Sequence, residues 1–223
     1  MGCTIASVNQ PLNDAATIPV SVRFDGDNYY LPSDGAAVAK LQYLTGRAYG
    51  LAGTVNLPLL SVNLAPTPDT GPVRTASASD VAPCTATVQT PVGGSHAVCA
   101  RMTTSLNPGT ATATAHADDV NLGILGLPVI AVTGLSSSST SACTGASGAT
   151  TIGTLTIGGK TIAVPTAPNS TIDLAGGAKL VINEQLPVAG ADHGLTVNAV
   201  HLIGLGGVID IVIGSSSSAA HNC

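Results

Sequence analysis

The sequence is poor in the residues on which many binding sites depend. Its 223 residues include no Trp, one Phe and four Tyr, and only 9% of them are charged. Lys and Arg number 7 against 12 Asp and Glu, so the formal net charge is −5. Such a chain offers no basic surface to a phosphate backbone, and we expect no nucleic-acid partner. The scarcity of aromatic rings also disfavours sugar and peptide sites built on stacked rings.

Long apolar runs and familiar catalytic motifs are missing as well. No run approaches the ~20 apolar residues that a membrane-spanning helix needs, so we expect no transmembrane segment. Residues 1–20 lack the basic start and apolar centre of a signal peptide, so an exported protein would have this sequence as its mature form. Neither G-x-S-x-G nor a P-loop occurs, and residues 204–209 depart from G-x-G-x-x-G. We therefore predict a protein that is not an enzyme and has no catalytic residues, no cofactor and no metal.

Short runs rich in β-branched residues dominate what is present. Residues 169–213 hold four such runs, separated by Gly, Pro, Asn and Asp, which is typical of consecutive antiparallel strands. Residues 152–164 predict a hairpin around Gly158-Gly159. Residues 110–116 alternate Thr and Ala, so facing neighbours can come close. The serine-rich residues 136–141 predict a surface loop. The fold class is all-β, an antiparallel β-sandwich or barrel-like domain, with an irregular β-solenoid as the alternative.

The first 46 residues differ from the rest of the chain. They contain the only Phe and three of the four Tyr. Residues 18–24 predict a strand with Pro19 near its start, which indicates an edge strand or an exposed arm. Ser33 and Asp34 predict the cap of one short helix through Leu44. We therefore divide the chain into an N-terminal arm, residues 1–46, and a main all-β domain, residues 47–223.

The five cysteines bear on the cellular compartment in which the protein is found. Cys84 and Cys99 could close a loop of about 15 residues, worth about 3 kcal/mol by the chain-entropy argument. Cys143 could pair with Cys223, which leaves Cys3 over. None of the five is spaced as a zinc ligand would be. Disulfides place a protein outside the cytosol, so we expect an extracellular or cell-surface location. Buried free thiols are the alternative.

A few polar residues are weak candidates for a site. Glu184 is the only Glu and could act as a general acid or a ligand, but paired-carboxylate chemistry needs a second acid about 5 to 10 Å away. Bonding to backbone at a strand end is the simpler interpretation of Glu184. His116, Asp118 and Asp119 could offer one imidazole and two carboxylates to a metal, which is half of a site. His201 is interpreted as a surface residue or a hydrogen-bonded core residue.

Several short motifs of residues 47–223 occur together in a known family. They are Ala48-Tyr49-Gly50-Leu51, Pro168-Asn169, Asn183-Glu184-Gln185, the run 195–201 and Val212-Ile213-Gly214-Ser215. With Cys143 and Cys223 they resemble the choice-of-anchor P family, exported proteins of high-GC Gram-positive bacteria. The resemblance implies an exported, disulfide-containing β domain, and it implies no established activity or catalytic residue. Residues 1–46 lie outside it.

These observations together favour a structural role. We predict an extracellular or cell-surface building block that forms homo-oligomers, filaments or coats. The N-terminal strand would add to a neighbouring subunit, with its alternate residues filling a groove there. The alternatives are that this segment is the first strand of its own domain, or that the protein is a secreted monomeric ligand-binding or adhesion module with a pocket near Tyr49 or His116. A secreted hydrolase is the third hypothesis. The assembly residues would be Ile18, Val20, Val22 and Phe24.

Overall fold

The computed structural model describes residues 17–106 and 108–223 of the chain. That part contains 17 β-strands and two 3-10 turns, at Ala175–Gly177 and Leu205–Gly207, and no α-helix. None of the described residues lies in a helix long and apolar enough to cross a bilayer. The strands in chain order are β1 (Thr17–Phe24), β2 (Ser33–Lys40), β3 (Tyr43–Leu57), β4 (Leu60–Asp69), β5 (Val73–Thr75), β6 (Ser79–Val81), β7 (Cys84–Thr90), β8 (Gly93–Leu106), β9 (Gly109–Leu122), β10 (Ile130–Ala142), β11 (Gly145–Thr151), β12 (Thr154–Ile157), β13 (Lys160–Ile162), β14 (Ser170–Asp173), β15 (Lys179–Pro187), β16 (His193–Gly204) and β17 (Ile209–His221).

Two large antiparallel sheets face each other and form a β-sandwich. The eight-stranded sheet has the order β13-β12-β10-β9-β8-β6, with β11 beside β10 and β7 beside β8. The seven-stranded sheet has the order β14-β15-β16-β17-β3-β4, with β5 beside β3. The remaining strands, β1 and β2, pair only with each other. The predicted all-β sandwich is therefore confirmed, and the described residues close neither a barrel nor a solenoid.

Two stretches form the strands that their patterns predict. Residues 169–213 contain β14, β15, β16 and the start of β17, each antiparallel to the next. β12 and β13 form a hairpin around Gly158 and Gly159, whose φ angles are 57° and 79°. A type I′ turn requires positive φ at both central residues, which Gly adopts without strain. Both predictions are confirmed.

The interior of the sandwich has two parts of different composition. In the larger part, Val, Leu and Ile from both sheets pack together, among them Val132, Leu155 and Leu180. In the smaller part most buried residues are Ala, packed around Met102 and Leu44. The alternating Ala residues of β9 supply much of this second part. Small side chains bring the two sheets close together here, as the alternation predicts.

A layer of buried serines continues this second part, and it corrects one prediction. Residues 136–141 are not a surface loop but the second half of β10, paired on both sides with β9 and β11. Ser139 donates a hydrogen bond to the carbonyl oxygen of Leu195 in the other sheet at 2.6 Å. Ser141 donates to the carbonyl oxygen of Ser218 at 2.9 Å. Ser139 and Ser141 can be buried because the facing sheet accepts their hydrogen bonds, whereas the buried hydroxyl of Ser137 has no partner among the described residues.

One left-handed residue interrupts each of four strands. Such a residue breaks the alternation of side chains, because alternation requires every residue to be extended. In β17 the outward-facing residues include Asp210 before Gly214 and Ser217 after it. These two residues are an odd number of positions apart, so in a regular strand they would lie on opposite faces. The four residues, with φ angles from 47° to 65°, are Ala97 in β8, Gly134 in β10, Asn183 in β15 and Gly214 in β17.

The predicted short helix near the N-terminus is wrong. Ser33–Lys40 form β2, which pairs with β1 along its whole length. Cross-strand pairing therefore overrides the capping signal of Ser33 and Asp34. The seven-stranded sheet also takes in the chain from Tyr43, which lies opposite His221 in register and stacks on its ring with 4.4 Å between centroids.

Candidate functional site

The segment predicted to assemble with a neighbour is β1, and it pairs with β2 of its own chain. We call residues 17–40 the arm. Its eight residue pairs run from Thr17 opposite Lys40 to Phe24 opposite Ser33. At about 3.4 Å per residue these eight pairs form a ribbon about 27 Å long. The arm is therefore a two-stranded element with a free backbone edge on each side among the described residues.

The two faces of the arm differ in polarity. The four residues predicted to mediate assembly, at positions 18, 20, 22 and 24, share one face because strand side chains alternate. Across from them stand Ala39, Ala37, Gly35 and Ser33, so this apolar face carries no charge. The other face carries Arg23 opposite Asp34. Val22 is 60% exposed and every residue of β2 is exposed, whereas Ile18, Val20 and Phe24 are half-buried, so the apolar face is partly open to solvent.

A turn fixed by side-chain hydrogen bonds forms the tip of the arm. Oδ1 of Asp27 accepts hydrogen bonds from the backbone N–H groups of Tyr29 and Tyr30, both at 2.8 Å. Gly26 has a φ of 88°, where a Cβ atom would lie 3.0 Å from Pro32 Cδ. Tyr29 is 88% exposed and Leu31 is 87% exposed. A fixed turn therefore holds large apolar side chains in water.

The base of the arm is tied to the carboxyl end of the chain. Asn222 donates a hydrogen bond from Nδ2 to the carbonyl oxygen of Leu41, the residue that follows β2, at 2.9 Å. The next residue, Cys223, donates its backbone N–H to Asp192 at 2.9 Å. That hydrogen bond, followed by one from the Asn222 backbone, holds the pKa of Asp192 below its ordinary value. The arm thus leaves the sandwich from an anchored point.

Both expected disulfides are present. Cys84 is bonded to Cys99, which lies directly opposite it between β7 and β8. Cys143 is bonded to Cys223 and so links the end of β10 in one sheet to the end of β17 in the other. Cys3 lies outside the described residues.

Glu184 takes part in a cluster that spans three neighbouring strands. Its Oε2 atom accepts a hydrogen bond from Asn198 Nδ2 at 2.7 Å. The same oxygen lies 2.8 Å from His201 Nδ1. His201 Nε2 lies 3.0 Å from Oδ1 of Asp210. Glu184 therefore bonds to side chains rather than to backbone at a strand end, contrary to the simpler interpretation of its sequence.

An interrupted alternation brings this cluster together. Asn198 and His201 are three positions apart in β16, which in a regular strand places them on opposite faces. In the neighbouring strands Asn183 has a φ of 52° and Gly214 has a φ of 65°. The side chains of Asn198 and His201 nevertheless both reach Glu184. Asp210 and Asn198 were missed in the sequence because no local signal marks this change of face.

Electrostatics favour a charged imidazole in the cluster. Burial lowers the pKa of His201, but the hydrogen bonds and charges of Glu184 and then Asp210 outweigh it, so the pKa lies above its ordinary value. The hydrogen bond from His201 holds the pKa of Glu184 below its ordinary value, against the effect of burial. Both ring nitrogens face carboxylate oxygens, so an imidazolium donates to both. With neither nitrogen free to take a proton from a substrate, the cluster is suited to clamp strands together.

The second group of candidates separates into two pairs. His116 Nε2 lies 2.8 Å from Asp118 Oδ1. Asp119 instead lies 2.8 Å from Nδ1 of His96, a partner on β8 that the sequence did not suggest. All four side chains are about half exposed. Among the described residues no group of three or more His, Cys, Asp or Glu could hold a metal ion.

One hydroxyl does meet an imidazole. Thr45 Oγ1 lies 2.9 Å from His221 Nε2, and His221 Nδ1 lies 3.1 Å from the carbonyl oxygen of Gly190. The second ring nitrogen of His221 therefore faces a backbone carbonyl rather than a carboxylate. His221 is buried against the ring of Tyr43. The pair is therefore a packing contact below the arm rather than a nucleophile facing a substrate.

The surface around Tyr49 is occupied by an ion pair. Arg47 donates two hydrogen bonds to Asp69, at 2.9 and 2.7 Å. These bonds hold the pKa of Asp69 below its ordinary value. The Arg47 guanidinium also lies 5.6 Å from the centre of the Tyr49 ring.

A cleft of about 360 Å³ opens elsewhere, between β4 and β7, and neither Tyr49 nor His116 lines it.

Comparison with family models, with curated proteins and with solved structures finds no match for this chain.

Proposed function

We propose that this protein is an extracellular or cell-surface structural subunit that assembles with copies of itself through the arm. The observation that carries the proposal is the partly exposed apolar face of a ribbon that, among the described residues, pairs with neither large sheet. An isolated two-stranded hairpin is marginally stable in water, and three or more strands or a packed face are needed for independent stability. A partner that covers this face supplies what the arm lacks.

The arm offers two kinds of contact. Its apolar face can pack on a neighbouring subunit, and its free backbone edges can add to an open sheet edge there. Because β1 is already paired with β2, the assembling element is the whole arm rather than a single strand. The arm and its receiving surface are different parts of the chain, so the contact is heterologous, and it builds open filaments or coats where the rotation between copies does not close a ring.

The two disulfides support a location outside the cytosol, since such bonds persist in oxidising compartments. The bond from Cys143 to Cys223 lies beside the base of the arm, where it would resist forces carried from one subunit to the next. The Glu184 cluster belongs to the same role, because it clamps three strands and offers no free proton acceptor. We do not propose a hydrolase.

The full chain can test the proposal. Sedimentation velocity over a range of concentrations, with electron microscopy of the largest species, should show assemblies of the unmodified protein. Val22→Lys places a charge on the apolar face and should shift the distribution to monomers. Ser21→Lys adds the same charge on the opposite face and should leave assembly unchanged.

Monomers at every concentration would contradict the proposal and favour the adhesion module, with the tip as its contact surface. Equal behaviour of the two Lys variants would exclude the apolar face as the contact.

A further inference from the structure

The cleft between β4 and β7 combines an apolar floor with two open sheet edges. β4 ends the seven-stranded sheet and β7 lies at the border of the eight-stranded sheet, and among the described residues each pairs on one side only. Leu51 and Val88 are buried at the floor of the cleft, and Leu64 is half-buried there. The backbone edges on both sides can accept a further strand.

The rim of this cleft is polar and uncharged. Thr, Asn and Gln side chains surround the apolar floor, and the lining contains no Lys, Arg, Asp, Glu or His. Such a site suits an amphipathic aromatic group, whose ring needs an apolar floor and whose hydroxyl needs a hydrogen-bond partner. The volume of about 360 Å³ is at the lower end for ligand pockets, which run to about 1,000 Å³. Tyrosine side chains meet these requirements.

The tip of the arm presents such groups. Tyr29 and Tyr30 project from the turn that Asp27 holds, and Tyr and Trp dominate the energetics of protein interfaces. Arg23 bonds to Asp25 at 2.8 Å behind the tip, and the Asp27 carboxylate within the tip accepts the backbone N–H groups of both tyrosines. Because the lining of the cleft carries no charge, it neither repels the tip nor requires a countercharge on it. The tip does not fill the cleft of its own chain, because Tyr29 is 88% exposed.

From these observations we infer that the Tyr29-Tyr30 tip of one copy docks in the β4–β7 cleft of the next copy. The inference rests on the proposed function and names its receiving surface. The free edges of the arm run alongside the cleft, where they can extend the ladder of β4 or β7. Donor and receiver lie at different places on each chain, so a docked pair of copies still has one free tip and one free cleft.

Two variants isolate the two sides of this contact. Tyr29→Ser with Tyr30→Ser removes the rings from an exposed turn and should disable the donor. Ala65→Arg places a long charged side chain in the cleft from an exposed position on β4 and should disable the receiver. Ala86→Arg makes the same change at an exposed position of β7 that does not line the cleft, and it serves as the control.

Sedimentation velocity on each variant and on their mixture is the test. Either disabling variant alone should need a protein concentration more than about tenfold higher to assemble, as loss of an interface hot spot implies. An equimolar mixture should form heterodimers and nothing larger, because only one intact tip and one intact cleft can meet. Ala86→Arg should assemble as the unmodified protein does.

Other outcomes overturn the inference in separable ways. Normal assembly of Ala65→Arg would exclude the cleft as the receiver and leave arm-mediated assembly standing. A mixture that stays monomeric would exclude the complementary pairing of tip and cleft. Unmodified protein that is monomeric throughout would refute the proposed function itself, and this inference with it.

Discussion

His201 Nδ1 lies 2.8 Å from Oε2 of Glu184, and this contact joins β16 to β15 across the outer face of the seven-stranded sheet. Both side chains are largely buried, with 14% and 12% of their surfaces exposed. An ion pair at such a position is sensitive to pH, because each charged partner stabilises the charged form of the other.

Stability should depend on pH through this pair. The pKa of His201 is raised above its ordinary 6.5, so its contribution is full below that pH and is lost as pH rises through the higher value of the folded protein. The pKa of Glu184 is lowered from 4.5, so its contribution is full above that pH and is lost as pH falls through the lower value.

The pair therefore contributes most between pH 4.5 and 6.5. Urea unfolding of the unmodified protein and of His201→Gln should differ most in this window, with the difference shrinking on both sides. A difference that is independent of pH would show that the pair is not charged in the folded protein.

The two carboxylates of the cluster should contribute unequally. Glu184→Gln leaves the buried imidazole facing a neutral amide and should lower the free energy of unfolding by about 1–3 kcal/mol. Asp210→Asn acts on a side chain that is 56% exposed and should cost at most about 1 kcal/mol. Urea denaturation at pH 6 measures both, and equal losses would contradict the account given for the cluster.

The serine layer should respond to removal of one hydroxyl. Ser139→Ala leaves the carbonyl oxygen of Leu195 without its 2.6 Å donor inside the sandwich, so we expect a loss of about 1–2 kcal/mol. Ser138→Ala is the matched change on the next residue, which faces away from the other sheet, and should stay within about 0.5 kcal/mol of the unmodified protein. Chemical denaturation of the two variants makes the comparison.

The disulfides should differ in their effect on stability. Replacing Cys143 and Cys223 by Ser opens a link between residues 80 apart and should cost about 4–5 kcal/mol by the chain-entropy argument. Replacing Cys84 and Cys99 opens a link between residues 15 apart and should cost about 3 kcal/mol. Guanidinium unfolding of each double variant tests the order, and the reverse order would mean that native contacts rather than loop length decide.

Local patterns predicted those parts of the fold in which neighbours along the chain also pair. The Gly158-Gly159 hairpin and the run of strands from Ser170 to His221 are of this kind, since turn residues and β-branched runs act over a few positions. The cap-like residues at 33 and 34 were misleading, because pairing with β1 decided their conformation.

In the candidate site, too, some features follow from local sequence patterns and others depend on tertiary structure. The shared face of residues 18, 20, 22 and 24 follows from alternation alone. The clustering of Glu184 with Asn198 and His201 does not, because it depends on left-handed residues in neighbouring strands. The partner of Asp119, His96, lies 23 positions away along the chain and is brought close only by strand pairing.

By itself, the sequence determined that this protein is a stack of antiparallel strands, since Thr, Val and Ile in alternation between Gly, Pro and Asn suit no other regular structure. Tertiary structure alone decided which side chains meet, which serines are buried and that the arm pairs with itself. The reason is physical. Alternation is a property of each strand, whereas register, the facing sheet and an interrupted strand depend on residues far apart in the chain.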